Sequence, residues 1–444
     1  MAASSARFSI VGGGLGGALM AIYLARAGHA VEVFERRGDP RRGKSEGRSI
    51  NLAISTRGLF ALERAGLAAE ALKASVPLRG RMVHPPHGEP RFQPYGTREA
   101  DVIRSVSRGG LNALLLDAAE AQPNVRIHFG TRCTGVDLGS GSAEFVDAET
   151  GEARRSAGDL LVGADGAFSI VRQTMQRLEG FNYRQDFLEH GYKELSMPAA
   201  AGGGFAMEEH ALHIWPRGGS MMIALPNVDG SFTCTCFWPL HGENSFAALT
   251  TREAILRFFG ERFPDAVPRM PTLAEDYRSN PTGTLVTIRC SPWHHGGRIV
   301  LLGDACHAVV PFYGQGANAA FEDCVVLDEC LARHAPRWDR ALSEFQRLRK
   351  ENTDALADLS LDNFIEMRDK TASRLFRIEK RVENGLHRLF PIWFVPLYTM
   401  VTFSRTPYAR AIRRARRQWA AVAWLALGFL IVFALLLLWG LRWI

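Results

Sequence analysis

The chain opens on a short apolar run, passes through glycines, and continues into an alanine- and leucine-rich stretch. Phe8-Ser9-Ile10-Val11 predicts a buried strand, followed by Gly12-Gly13-Gly14-Leu15-Gly16-Gly17. Residues 18–27, closed by Gly28, predict a helix with a C-terminal glycine. Val31-Glu32-Val33-Phe34-Glu35 predicts a second strand, which completes a strand–turn–helix–strand unit, the first piece of a doubly wound sheet. The apolar runs 159–163 and 298–303 predict two further strands of that sheet.

Between those runs the period changes to two. Ala211-Leu212-His213-Ile214-Trp215 and Ser231-Phe232-Thr233-Cys234-Thr235-Cys236-Phe237-Trp238 alternate apolar with polar, as antiparallel strands with one wet face do. From Ala317 to about Arg417 the pattern is mostly helical. The expected division is a nucleotide-binding domain in three parts, residues 1–75, 101–180 and 291–330. A substrate domain of residues 76–100 and 181–290 interrupts it, and a helical region, 331–417, follows.

The end of the chain is different again. Trp419 to Gly440 holds no charged residue over 22 positions, enough for a helix to cross a hydrocarbon core of about 30 Å. Trp419, Trp424, Trp439 and Trp443 lie near its two ends, and Arg405, Arg410, Arg413, Arg414, Arg416 and Arg417 precede it. Indoles favour the membrane interface and arginines the cytoplasmic side, so 419–441 is expected to be a single tail anchor with the body facing the cytoplasm. A buried core helix, or a helix docking a partner, is the competing reading. The first strand begins within eight residues of the start, which leaves no room for a cleavable signal.

Of 444 residues, 47% are hydrophobic and 22% charged, ordinary for a globular protein of two domains. The arginines beside the terminal run account for most of the +7 net charge, and no basic groove interleaved with aromatics points to nucleic acid. The seven cysteines form no metal or redox spacing and read as reduced thiols.

Gly12, Gly14 and Gly17 have the spacing that lets a backbone turn, approach a pyrophosphate and pack a helix closely. Glu35 ends the next strand 23 residues after Gly12, where a carboxylate accepts hydrogen bonds from ribose hydroxyls and repels a 2′-phosphate. Asp304 follows the strand 298–303, at a carboxyl end of the sheet where ligands bind. His307 reads as a packing or hydrogen-bonding histidine, with no catalytic role. Taken alone, Arg81 reads as a surface charge and Asn363 as a helix-surface residue.

Gly163-Ala164-Asp165-Gly166-Ala167-Phe168-Ser169-Ile170-Val171-Arg172 resembles the DG motif of the flavin-dependent aromatic hydroxylases, and Gly303-Asp304-Ala305-Cys306-His307-Ala308 resembles their GD motif. Gly47-Arg48-Ser49-Ile50-Asn51-Leu52-Ala53-Ile54-Ser55 and the stretch from Asn182 to Leu195 resemble, more narrowly, the kynurenine 3-monooxygenase family. The likeness runs nearly the whole chain. It implies a Rossmann-type FAD-binding domain with an inserted antiparallel substrate sheet, C-terminal helices and one transmembrane helix.

By the same resemblance, FAD is bound non-covalently by Gly12, Gly14, Gly16, Gly17, Phe34, Glu35, Arg36, Arg37, Ala53, Arg108, Cys133, Asp165, Asp304, Gly316, Ala317 and Asn318. Cys133 is expected to contribute backbone contact, and Arg108 to stand near a helix beginning at about Gly110. Arg81, Tyr95, Asn363 and Tyr398 are implied to hold the amino-acid end of L-kynurenine, with Glu366, one turn from Asn363, attracting its ammonium. Local departures occur at Ala317 and Tyr313, where animal members carry Met and Phe. The implied reaction is NADPH- and O₂-dependent hydroxylation through a flavin C4a-hydroperoxide, with no general base and NADPH docking transiently. The rivals are hydroxylation of another aromatic or lipid-soluble substrate, and a flavoprotein kept for partner binding or redox sensing, without hydroxylation.

Overall fold

The computed structural model describes residues 5–42, 51–96, 98–370 and 374–441. Residues 47–50 of one family-like stretch, and Trp443, lie outside the described residues.

Among the described residues, the largest core surrounds a six-stranded sheet, ordered His294–His295, Ile299–Leu301, Leu160–Gly163, Arg7–Val11, Ala30–Phe34 and Val125–His128. Its pairings are parallel except the first. Buried on both faces, these strands read as unbroken apolar runs rather than alternating ones. The helices Leu15–Arg26 and Gly316–His334 pack against this sheet, the first buried from Gly17 to Ala25.

A seven-stranded sheet holds Gly283–Ser291, Asn182–Met197, Phe232–Pro239, Met221–Pro226, Ala211–Pro216, Gly80–Val83 and Arg91–Pro94, in that order. All its pairings are antiparallel except that of Ala211–Pro216 with Gly80–Val83. The expected wet face is absent from the central strands: Ala211–Pro216 and Phe232–Pro239 are buried almost throughout, because the region 181–290 also carries the helices Arg252–Arg262 and Leu273–Ser279. These cover one face of the sheet with Phe258, Phe259, Phe263 and Tyr277, packed around Trp238. A small sheet of Asn51–Ile54, Ile103–Ser107 and Ser75–Leu78 lies between the two, because Asn51 donates to Asn227 Oδ1 and Ser105 to the Pro226 carbonyl.

Several element ends differ from the sequence reading. The helix expected near Gly110 starts at Arg108, since Ser107 caps it by accepting from Gly110 N. The terminal apolar run is not a separate element: one helix spans Tyr408–Leu441. Its first turns are buried through Tyr408, Ala411 and Ala415 against Leu356 and Leu359 of the helix Trp338–Ile365. From Ala423 to Leu436 it is exposed.

Candidate active site

The glycine turn is built as its spacing requires. Gly12 sits at φ +105°, and a Cβ there would lie 2.4 Å from the Ala164 carbonyl oxygen. At Gly17 a Cβ would come within 2.0 Å of the Gly12 carbonyl oxygen, so the helix can approach the strand only without one. Gly14 is the N-cap and has open space where its Cβ would be, leaving the helix amides accessible to an anion. Gly16 faces Ala320 and Leu302. The Glu35 carboxylate accepts from Gly13 N at 2.8 Å and Arg37 N at 3.0 Å, which fixes it beside this turn.

Other expected cofactor residues divide by what their side chains have left to offer. Phe34 is stacked in the core between His128 and Phe145, so only its backbone is available. Arg36, Arg37 and Arg108 are exposed, as is Asp304 after Gly303. Cys133 is buried and its thiol is pushed up to about 12 by burial, consistent with backbone contact alone. Asp165 caps the helix Ile170–Met175 through Oδ2, at 2.7 Å from Ile170 N. Its Oδ1 is buried without a hydrogen-bond partner among the described residues. Burial raises its pKa. A buried acceptor of this kind beside an open helix N-terminus fits a polar, phosphate-bearing cofactor such as FAD.

Asn318 has no side-chain capacity to spare. Its Oδ1 accepts from Ser55 N (2.9 Å) and Gly58 N (3.2 Å), and its Nδ2 donates to the Ala53 and Gly314 carbonyls (2.8 and 2.9 Å). It therefore ties the strand Asn51–Ile54 to the loop before Gly316 and Ala317. The same loop brings Gly314 against Ala53, 3.1 Å from where a Gly314 Cβ would stand.

That loop also reaches the expected substrate residues. The Arg81 guanidinium lies 5.6 Å from the Tyr95 ring centre and 5.2 Å from that of Tyr398, and the two rings stack at 5.5 Å. Tyr313 packs on Tyr398. Burial works against the Arg81 charge, but Tyr398, Tyr95 and Glu366 outweigh it and hold its pKa above the ordinary arginine value. Arg81 Nε and Tyr95 Oη are buried with no hydrogen-bond partner among the described residues. A cation and a phenol so placed are matched to an anionic, hydrogen-bonding guest. Beside them, Phe237, Phe312, Phe364, Ile214 and Met221 form an apolar cluster, with Phe312 and Phe364 stacked at 4.2 Å.

Asn363 is buried, not on the helix surface, and its Nδ2 donates to the Phe312 carbonyl at 2.6 Å and contacts Met367 Sδ at 3.3 Å. Its amide holds the Phe312 loop. Glu366 follows the end of that helix and opens a π-helical turn, Glu366–Lys370, so the simple one-turn spacing from Asn363 is modified there.

The residues passed over by sequence reasoning support the site from behind. His307 Nε2 is 2.5 Å from Asp323 Oδ2; Asp323 also takes Arg349 Nε at 2.6 Å and Gly303 N at 3.2 Å. Arg349 pairs with Glu322, which pairs with Arg57, whose guanidinium lies 4.0 Å from the Tyr408 ring centre. Burial opposes the Asp323 charge, but His307 and Arg349 hold its pKa below the usual carboxylate range. The adjacent acids Glu322 and Asp323 within an apolar helix were the available signal. His307 is thus a hydrogen-bonding histidine, as expected.

The fold and glycine turn define an FAD-dependent oxygenase class, and comparison with known proteins agrees. Residues 6–358 match the FAD binding domain family. The chain resembles 2-methyl-3-hydroxypyridine-5-carboxylic acid oxygenase (TM-score 0.68, 21% identity, 83% of this chain and 94% of that one). It also resembles Pseudomonas aeruginosa PqsL in complex with 2-aminobenzoylacetate (TM-score 0.67, 21% identity, 85% and 100%). Kynurenine 3-monooxygenase of Myxococcus xanthus is 53% identical over 91% of this chain and 87% of its own length. That of Salinispora tropica is 51% identical over 93% and 91%, and that of Flavobacterium psychrophilum 45% over 92% and 91%. The chain belongs to the kynurenine 3-monooxygenase family.

Proposed function

We propose that this protein hydroxylates L-kynurenine to 3-hydroxykynurenine, using FAD, NADPH and O₂. The observation that carries the reading is Arg81, held between Tyr95 and Tyr398 with a buried, unpartnered Nε. Its guanidinium forks onto the substrate carboxylate, Tyr95 Oη donates to it, and Glu366 attracts the ammonium. The aromatic ketone extends along the apolar wall of Phe237, Phe312 and Phe364, which excludes water from the reacting carbon. Asn363 positions Phe312 through its carbonyl. Gly12, Gly14, Gly17 and Glu35 would hold the ADP part of FAD, and Asp304, Gly316 and Ala317 its ribityl-flavin part. Bound FAD supplies reduction by NADPH and activation of O₂. The arginine, tyrosines and aromatic wall suit a zwitterion with an aromatic ring better than a lipid-soluble substrate.

The helix from Tyr408 anchors the protein in a membrane, with the arginines and the body on the cytoplasmic side. Supporting this, its stretch to Leu436 has a mean hydropathy of 2.5 in its most apolar part, which the body does not bury. The test is NADPH oxidation by the detergent-solubilised, FAD-loaded protein with and without L-kynurenine, with products analysed by mass. Stimulation with a product one oxygen heavier supports the reading. Stimulation yielding only hydrogen peroxide, or none at all, overturns the substrate assignment.

A further inference from the structure

The terminal helix does not leave the body alone. At its exit, the segment 389–395 is clasped to it at four points. Arg414 donates to the Ile392 carbonyl at 2.8 Å, and Gln418 Nε2 donates to the Val395 carbonyl at 2.8 Å. Gln418 Oε1 accepts from Val395 N at 3.3 Å, and Phe394 meets Trp419 edge-on at 5.5 Å. Positions 414 to 419 span about 7.5 Å of helix at 1.5 Å per residue, so the segment is fixed at one level along the axis. At that level the arginine run gives way to the uncharged run.

The clasped segment turns its apolar side chains outward. Leu389 is 72% exposed, Ile392 88% and Trp393 68%, with Phe390 also exposed. The helix leading into it, Arg374–Leu389, continues the patch: Ile378 and Val382, four apart, and Leu389, seven further on, fall on one exposed face. Arg381 and Arg388 on this helix are exposed, as are Arg410, Arg416 and Arg417 on the terminal one. Apolar residues on a solvent-facing stripe, cations around them, and a tryptophan at the rim form the pattern of an interfacial amphipathic element.

We infer that the helix Arg374–Leu389 and the loop through Trp393 form a second membrane contact, lying in the headgroup region beside the anchor. The inference rests on the anchoring reading: once the helix enters lipid near Trp419, the clasp sets Ile392 and Trp393 at the boundary. Anionic lipid headgroups are the partners of Arg381, Arg388, Arg410, Arg416 and Arg417. The contact lies close to the site in sequence: Tyr398 is five residues after Trp393, and Glu383 is on the buried side of the helix.

The full-length protein, in vesicles of phosphatidylcholine and phosphatidylglycerol, is labelled with an environment-sensitive dye at Ile392→Cys. Separate variants carry the dye at Leu425→Cys, within the anchor, and at Val228→Cys, on an exposed turn. All seven native cysteines are buried, which favours labelling at the introduced thiol. The expected result is a blue-shifted Ile392 probe quenched several-fold more by headgroup-labelled than by deep chain-labelled lipid. The Leu425 probe shows the reverse preference, and the Val228 probe neither. An Ile392 probe in water, with the Leu425 probe in lipid, overturns the second contact and leaves the anchor standing. Both probes in water overturn both. An Ile392 probe shielded only at high protein density and untouched by lipid quenchers assigns the patch to a second copy of the chain, which also overturns the inference.

Discussion

Tyr313 and Tyr398 meet ring to ring, with centres 5.7 Å apart and planes 31° from parallel. Tyr313 belongs to the loop that opens the helix Gly316–His334, and Tyr398 to the short helix Leu397–Thr402. Through this pair, the loop next to the proposed flavin site is in van der Waals contact with the residues around Arg81. Loading of one site is therefore expected to be felt at the other.

Arg81→Ala removes the cation from the enclosure while leaving the glycine turn untouched. Loss of one partner of a buried charge-assisted contact costs about 2–4 kcal/mol, so KM for L-kynurenine is expected to rise roughly 30- to 1000-fold. FAD content should stay at the wild-type level. Steady-state kinetics together with the flavin absorbance of the purified variant check both; a parallel loss of flavin would place Arg81 in the fold rather than in recognition.

Asn318→Ala strands the Ser55 and Gly58 amides and the Ala53 and Gly314 carbonyls. The expected cost is on the order of 3 kcal/mol, with release of FAD at a lower temperature. Asn318→Asp keeps the acceptor but loses the donors, and should fall between. Thermal release of flavin fluorescence gives the ranking.

Arg349→Met breaks a buried network, leaving Glu322 and Asp323 each short of a cation. Breaking such a pair costs about 3–5 kcal/mol. A sharp fall in yield of folded holoprotein is expected. A folded variant with normal thermal stability would show that Arg57 and His307 suffice to hold the two acids.

His213 carries a pH prediction. Its Nε2 donates to the Glu208 carbonyl at 2.8 Å, leaving Nδ1, 2.9 Å from His84 Nε2, as the acceptor. Burial lowers its pKa from 6.5 to about 4. The unfolded chain then binds the extra proton first, so stability is fully present above pH 6.5. It declines as pH falls from 6.5 towards 4, by at most about 3 kcal/mol at 1.36 kcal/mol per pKa unit. Thermal melts across this window should show the decline, and His213→Gln should flatten it.

The nucleotide unit was legible because its physics is local: a strand, a turn that only glycine can make at Gly12, and a helix, all within 35 residues of the start. The cage of Arg81, Tyr95 and Tyr398 was not readable from spacing, since its members come from separate parts of the chain, and only family likeness drew them together. Sequence reasoning passed over Tyr313 as a site residue, because its role arises from a ring contact made across 85 positions. For Asn318, given as a cofactor contact, the side-chain amide is spent on four backbone groups, a tie across some 260 positions that no local pattern records. The terminal apolar run was recognised by length and charge. Its fusion with the buried turns from Tyr408 depends on packing against Leu356 and Leu359, which no local pattern records.

Because the helix Tyr408–Leu441 is unbroken, with its first turns locked into the core, the body is mounted on a stiff mast rather than a string. In a bilayer such a mount removes most rotational freedom about axes in the membrane plane. Arg81 and the rings around it are then held at one height above the lipid. With the helix seated in lipid as proposed, lateral diffusion of the whole assembly replaces tumbling as its principal motion.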